Sequence, residues 1–178
     1  ELNPRTSPGY SNLALALVKL NDPKKLPEAL AAARKAIDLD PKFAVAYHNR
    51  GLAYQAKGEL DRAITDYDKA IALDPKDAAA YGGRGNAYQT KGELDRAITD
   101  YDKAIALDPK LAAAYHNRDL AYKSKGQLDK ALKDFDQAIA INSGFAMGLF
   151  NRGETLEAMG YHERAIRGEA SRGERARE

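Results

Sequence analysis

The chain has 178 residues, of which 28 are basic and 26 acidic, so its charge is nearly balanced and creates no strong field for nucleic acid or an anionic membrane. It contains no cysteine, which excludes disulfide bonds, thiolate zinc sites and cysteine nucleophiles. The longest apolar stretch, Asn12–Leu20, has about half of the roughly 20 residues that span a bilayer. Membrane insertion is therefore not expected.

The first 43 residues predict the end of one helix pair and a divergent second pair. Residues 1–6 contain "ELNP", which resembles the later helix ending "ALDP", and the start at Glu1 without Met suggests a processed form or a piece of a longer chain. Residues 7–43 predict two helices with a three-residue insertion in the turn "NDPKKLP". Because "NLALALVKL" is apolar almost all round, we expect an upstream repeat or a second copy to cover it.

A repeat with a period of 34 residues begins at residue 44. Residues 44–77 match residues 78–111 at 28 of 34 positions, and a third copy covers 112–145. Apolar residues recur twice in each copy at the i, i+3, i+4, i+7 spacing of a helical face. Each copy therefore predicts a first helix, helix A, and a second, helix B. Lys57-Gly58 is a C-cap signal between them, and Pro75 ends helix B.

The end of the chain departs from this pattern. Asp119 occupies the slot held by Gly51, Gly85 and Gly153 in the other copies, so its carboxylate must either push the helices apart or find an arginine partner. Residues 146–178 read as a degenerate repeat with a charged tail, "RGEASRGERARE", which is at most a polar cap.

The unit resembles the tetratricopeptide repeat, whose pattern is W-x2-L-G-x2-Y…A-x3-F…P. The first full copy shows it at Tyr47, Arg50, Gly51, Tyr54, Ala63, Tyr67 and Pro75, and the register recurs in the next two copies. The resemblance implies an all-α fold, a right-handed solenoid of antiparallel helix pairs forming a superhelix. It also implies a non-catalytic protein–protein interaction scaffold.

Three glycines stand within four residues in "AAYGGRGNAY". No strand precedes them and the third glycine of a dinucleotide fingerprint is absent, so a nucleotide loop is not predicted. Gly85 is the small packing residue of the repeat. Gly82 and Gly83 lie inside helix A, where two interpretations stay open: a cleared floor for a ligand, or sequence drift.

In the family that the chain resembles, helix A residues not used for packing line a concave groove. Asn12, Asn49, Asn117 and Asn151 share the sixth slot of the repeat, as in the asparagine ladder of O-linked N-acetylglucosamine transferases. They could bond a peptide main chain, or merely a neighbouring helix. The predicted groove residues are Asn12, Asn49, Asn86, Asn117, Asn151, His48, His116, Leu52, Leu120 and Phe150, and Val45, Gln55 and Gln89 also fall on groove slots.

A row of arginines occupies a further slot. Arg50, Arg84 and Arg118 accompany Asp66, Asp100 and Asp134 of helix B, which favours internal ion pairs over a basic stripe for nucleic acid. Arg152 faces Gly168 at the matching place and is expected to be unpaired.

No constellation of residues predicts catalysis, a cofactor or a metal site, since His48 and His116 are two repeats apart. The basic clamp for chaperone tails is largely missing, with Gly82, Ala113 and Asn117 in its slots. We therefore predict a protein or peptide partner bound in the groove. Two alternatives stay open: self-assembly through the apolar first helix, or the targeting arm of a larger enzyme. The sequence does not distinguish a cytoplasmic from a periplasmic location.

Overall fold

The computed structural model describes residues 6–142 and 152–157, and the chain falls into two compact units, residues 1–107 and 108–178. Every regular element in these described ranges is helical. The predicted all-α class of antiparallel helix pairs is confirmed. Residues 1–5, 143–151 and 158–178, which include Phe150 and Asn151 of the predicted groove, lie outside the described residues.

The first unit contains six α-helices and one short 3-10 helix within its described residues. They are α1 (Ser7–Lys19), the 3-10 helix Pro23–Lys25, α2 (Leu26–Leu39), α3 (Ala44–Ala56), α4 (Leu60–Leu73), α5 (Ala78–Thr90) and α6 (Leu94–Leu107). The second unit contains α7 (Ala112–Ser124), α8 (Leu128–Ile141) and a helical segment at 152–157. The 3-10 helix occupies the turn that holds the predicted insertion.

Consecutive helices pack as hairpins, α1 with α2, α3 with α4, α5 with α6 and α7 with α8. The last three hairpins each turn through three residues that include Gly58, Gly92 or Gly126. These glycines have φ of +80°, +79° and +70°, the left-handed conformation in which glycine ends helices without strain. The C-cap predicted at Lys57-Gly58 is therefore confirmed.

A buried tyrosine of helix B packs on the small residue of helix A in two hairpins. A Cβ on Gly51 would lie 2.9 Å from Tyr67 Cε1, and one on Gly85 would lie 2.7 Å from Tyr101 Cε1. Both tyrosines are fully buried. The predicted close approach is confirmed at these two glycines, whereas a Cβ on Gly153 would meet no atom of the described residues within 4 Å.

Arginine–aspartate pairs join helix A to helix B in three hairpins. Arg50 Nε donates to Asp66 Oδ2 at 2.7 Å and its Nη2 donates to Asp66 Oδ1 at 2.7 Å. Arg84 with Asp100 and Arg118 with Asp134 repeat this two-point contact at 2.7–2.8 Å. The acceptor carboxylates are buried, and the bond to Asp66 raises the pKa of Arg50. Internal pairing is therefore confirmed.

The prediction that Arg152 is unpaired is wrong. Its Nε donates to Asp136 Oδ1 at 2.8 Å. Asp136 belongs to α8, the helix B of the preceding repeat, whereas the sequence pattern pairs each arginine with the helix B of its own repeat. Arg84 makes the same kind of contact with Asp68, at 2.6 Å, in addition to its pair with Asp100.

Candidate functional site

The sixth slot of helix A faces inward in α3 and α5 but not in α1. Asn49 is only 2% exposed, and its Nδ2 donates to Ser11 O at 3.0 Å and to Ser11 Oγ at 2.8 Å. Its amide thus makes the bond to a neighbouring helix, one of the two roles that the sequence left open. Asn12, at the same slot in α1, is exposed.

The sixth slot of α5 is Gly83, and a buried core side chain fills the space where its Cβ would lie. A Cβ there would lie 2.7 Å from both Cε1 and Cζ of Tyr67. The floor cleared by the two glycines is therefore occupied by the ring of Tyr67 beneath Gly83. Gly82 differs, because a Cβ on it would meet nothing within 4 Å among the described residues.

His48 is half-buried on α3 at the edge of this core. Its ring contacts Tyr67 edge-on, with 5.6 Å between the ring centroids, and Nδ1 lies 4.0 Å from Asp77 Oδ2. Burial lowers the pKa of His48, and the charge of Asp77 opposes that shift. His48 is thus a neutral imidazole near pH 7.

Three further amide side chains of α3 and α5 contact buried tyrosine hydroxyls. Tyr67 Oη donates to Gln55 Oε1 at 2.8 Å. Tyr101 Oη lies 2.8 Å from Asn86 Oδ1 and 2.7 Å from Gln89 Oε1, and both oxygens are acceptors. Nothing in the sequence indicated that the groove slots supply amide partners for these hydroxyls.

Apolar side chains accompany these amides. Leu52 is partly buried and packs against the core cluster that includes Tyr54 and Tyr67. Val45, at the start of α3, is 43% exposed. We call the surface formed by Val45, His48, Leu52 and Gln55 of α3 with Gly82, Asn86 and Gln89 of α5 the helix A surface.

In the second unit, the helix A, α7, contains a buried carboxylate beside the predicted groove residues. Asp119 is fully buried, and His116 Nδ1 lies 3.3 Å from its Oδ2. The partner is thus a histidine rather than the arginine that the sequence suggested. Burial raises the pKa of Asp119 to about 6, and His116 opposes that shift. Asn117 and Leu120 are both half-buried on α7.

A polar cleft of about 320 Å³ lies among α4, α5 and α6 of the first unit. Its charged groups are paired with one another or with a neighbour: Arg84 with Asp68 and Asp100, and Arg96 with Glu93. Thr99 and Tyr88 complete the lining, and Arg96 lies over the Tyr88 ring at 4.2 Å. The cleft is therefore an ion-pair network between helices.

The helix α1 buries one side and exposes the other. Ser7, Ser11, Ala14 and Leu17 are buried where α1 packs on α2 and α3. Leu13 and Leu20 are 43% and 64% exposed. Within residues 6–142 and 152–157, no helix has the length and apolar content needed to cross a bilayer.

Helical hairpins at a 34-residue period, with side chains on one helix left over from packing, define a helical repeat protein. Family models match this chain over most of its length. The model described as TPR repeat matches residues 22–58, 56–92 and 120–160, and the one described as tetratricopeptide repeat matches residues 78–111. The chain therefore belongs to the tetratricopeptide repeat family.

Solved structures of similar fold include MamA, at 29% identity and a TM-score of 0.75 over 82% of this chain and 85% of that one. YrrB, described as a tetratricopeptide repeat protein with an unusual peptide-binding site, has 25% identity and a TM-score of 0.69 over 93% and 84% of the two chains. PilF of Pseudomonas aeruginosa shares the fold at 20% identity, with a TM-score of 0.83 over 90% and 72%. Comparison with curated protein sequences gives no significant match.

Proposed function

We propose that this chain is a non-catalytic interaction module that binds a peptide segment of a partner protein along the helix A surface. One observation carries the proposal. Packing uses the tyrosines of helix B and the arginine–aspartate pairs, and leaves Val45, Gly82 and the glutamine amides of the helix A surface accessible. Apolar contacts beside fixed hydrogen-bonding groups are what an extended peptide needs. The similarity to YrrB supports the same mode of action.

The test uses peptides selected from a displayed library of random short sequences against the whole chain. We expect Gly82→Gln to weaken binding of a selected peptide about tenfold or more, because the new side chain projects from an open position into the surface. The same change should raise the free energy of unfolding by about 1 kcal/mol, since glycine is a poor helix former. Titration calorimetry and urea denaturation measure the two effects.

Ala106→Gln is the matched control, because Ala106 is an exposed residue of α6, on helix B rather than helix A. It should leave the affinity unchanged. If the library yields no binder, or if every selected peptide binds Gly82→Gln as tightly as the unchanged protein, the proposed function is refuted.

A second candidate function is self-assembly through α1. The exposed Leu13 and Leu20 favour it, because large apolar side chains on a helix of a repeat array are ordinarily covered by a neighbouring helix. A second copy docking there would bury both leucines. Hydrogen exchange measured at increasing protein concentration tests this candidate.

A further inference from the structure

Two glutamines of the helix A surface share the same environment, one repeat apart. Gln55 on α3 and Gln89 on α5 are separated by one 34-residue period, and both are half-buried. Each places Oε1 against the hydroxyl of the buried tyrosine in its own hairpin, at 2.8 Å for Tyr67 and 2.7 Å for Tyr101. The two side chains therefore form a repeated structural feature.

The tyrosine hydroxyls face the oxygens of these amides. A buried hydroxyl must donate its hydrogen to an acceptor, and the amide Oε1 is the acceptor that Tyr67 has in the structure. Burial raises the pKa of Tyr67 and of Tyr101, so both hydroxyls keep their protons throughout the neutral range. If the amide of Gln55 were turned over, its NH2 group would face Tyr67 Oη and the hydroxyl hydrogen would have no acceptor, so Gln55 is held with its oxygen inward. Tyr101 has one hydroxyl hydrogen and two amide oxygens beside it, those of Asn86 and Gln89, and in the structure Gln89 also places its oxygen inward.

The inward oxygen leaves the Nε2 hydrogens on the outer side. No hydrogen-bond partner for Nε2 of Gln55 or Gln89 occurs in the described part of the chain, and neither nitrogen is among its buried unbonded atoms. These nitrogens are therefore open to solvent. They offer donors only, because an amide nitrogen accepts no hydrogen bond, and the oxygen of each amide faces a tyrosine hydroxyl.

The second unit provides an internal comparison. There Phe135 occupies the tyrosine slot and has no hydroxyl, and the slot of Gln55 and Gln89 holds Lys123. Lys123 Nζ instead pairs with Glu154 Oε2 at 2.8 Å. Glutamine thus accompanies the tyrosine hydroxyl in the α3–α4 and α5–α6 hairpins, and the α7–α8 hairpin has neither at these slots.

The spacing of the two amides indicates the shape of their ligand. Neighbouring helices pack about 8–10 Å apart, and α3 packs beside α5. In a polyproline II segment, carbonyls three residues apart point the same way at a separation of about 9.3 Å. In a β-strand, carbonyls on one side repeat at about 6.7 Å, which fits the two amides less well.

We propose that Gln55 and Gln89 recognise two main-chain carbonyl groups, three residues apart, in an extended polyproline II-like segment of a partner protein. The inference rests on the proposed function and names the chemistry of its ligand. The site selects hydrogen-bond acceptors and tolerates proline, which keeps its carbonyl and lacks only the N–H group. Specificity for the partner's side chains then comes from the apolar side chains of Val45 and Leu52 elsewhere on α3.

The test replaces both amides by carboxylates. Gln55→Glu with Gln89→Glu keeps an oxygen for each tyrosine hydroxyl but turns each outer donor into an acceptor. We expect a library-selected peptide to bind this double variant at least about tenfold more weakly, because each facing carbonyl loses its donor. Gln137→Glu, at an exposed position of α8, is the control for added negative charge and should bind the peptide normally.

A second readout follows the amides directly. In the unchanged protein, the side-chain NH2 signals of Gln55 and Gln89 should shift in nitrogen–proton correlation spectra when the peptide is added, and that of Gln137 should not. Unaltered affinity in the double variant, or unmoved signals, overturns this inference. The proposed function survives that result if Gly82→Gln still blocks the peptide. Failure to select any peptide overturns both.

Discussion

At the scale of single residues, Asp119 is the largest departure from the repeat. The equivalent glycines, Gly51 and Gly85, are covered by tyrosine rings, whereas Asp119 places a carboxylate in the interior of the second unit. The compensation is weak, since His116 Nδ1 is 3.3 Å away and well-formed charge-assisted bonds are about 2.7–2.9 Å. Asp134 on α8 further raises the pKa of Asp119, and Lys123 on α7 lowers it. Asp119 therefore destabilises the folded state whenever it is ionised.

The direction of its pH dependence follows from linkage. Folding raises the pKa of Asp119 from 3.8 to about 6, so the native state binds the proton more tightly than the unfolded state does. The free energy of unfolding therefore falls as the pH rises from about 4 to about 6. Above pH 6 the ionised carboxylate lowers the free energy of unfolding by roughly 3 kcal/mol. We expect Asp119→Asn to stabilise the protein by about 2–3 kcal/mol at pH 7.5 and by much less at pH 4.

Urea denaturation at the two pH values measures this difference. Asp38→Asn provides the control, because Asp38 is exposed on α2 and its replacement should change stability little at either pH. A gain from Asp119→Asn that is equal at pH 4 and pH 7.5 would show that the carboxyl group is not held near pKa 6.

At the scale of helices, the adjacent glycines of α5 have opposite roles. A methyl group on Gly83 would lie 2.7 Å from the ring of Tyr67, which is fully buried and also packs against Gly51. We expect Gly83→Ala to destabilise the protein by about 1–3 kcal/mol, because overpacking outweighs the better helix propensity. Gly82→Ala should stabilise it by about 1 kcal/mol, since its Cβ meets open space. Thermal unfolding of the two variants side by side measures the contrast; equal effects would contradict it.

The helices and most of their pairing are predictable from the sequence because they depend on local patterns. The 34-residue period gives the hairpins, the Lys57-Gly58 signal gives a turn, and the matching of Arg50 with Asp66 along the repeats gives the ion pairs. What the sequence could not give depends on how side chains of different helices meet. Three contacts depend on which side chains the packing brings together: the bond from Asn49 to Ser11, the histidine beside Asp119, and the contact of Arg152 with Asp136.

The candidate site was predicted less completely for the same reason. The groove slots were assigned through the family resemblance, but a slot does not say whether a side chain turns outward or inward. The Asn49 side chain points inward and donates its hydrogen bonds to Ser11 of α1. The Gln55 side chain bonds Tyr67 through its oxygen and leaves its nitrogen on the outer side. The Tyr67 hydroxyl sets the orientation of the Gln55 amide, and the position of that hydroxyl follows only from the packing of α4 on α3.

At the scale of the molecule, stability in a repeat array depends on nearest neighbours. In the first unit, α3 packs against α1, α2, α4 and α5, whereas α1 packs only against α2 and α3 among the described helices. Amide hydrogens open most readily where few neighbours cover the helix. At low protein concentration, we therefore expect the amides of α1 to exchange with solvent faster than those of α3.

Raising the concentration tests the second candidate function in the same experiment. If a second copy docks on α1, exchange of its amides slows as concentration increases, while α3, already covered on both sides, changes little. Leu13→Glu with Leu20→Glu should abolish that slowing, because charged side chains cannot be buried in an apolar contact without a partner. Hydrogen-exchange mass spectrometry with light scattering on the same samples gives both readouts. A concentration-independent rate with a monomeric mass eliminates self-assembly, and equally slow exchange of α1 and α3 in a dilute monomer contradicts the nearest-neighbour argument itself.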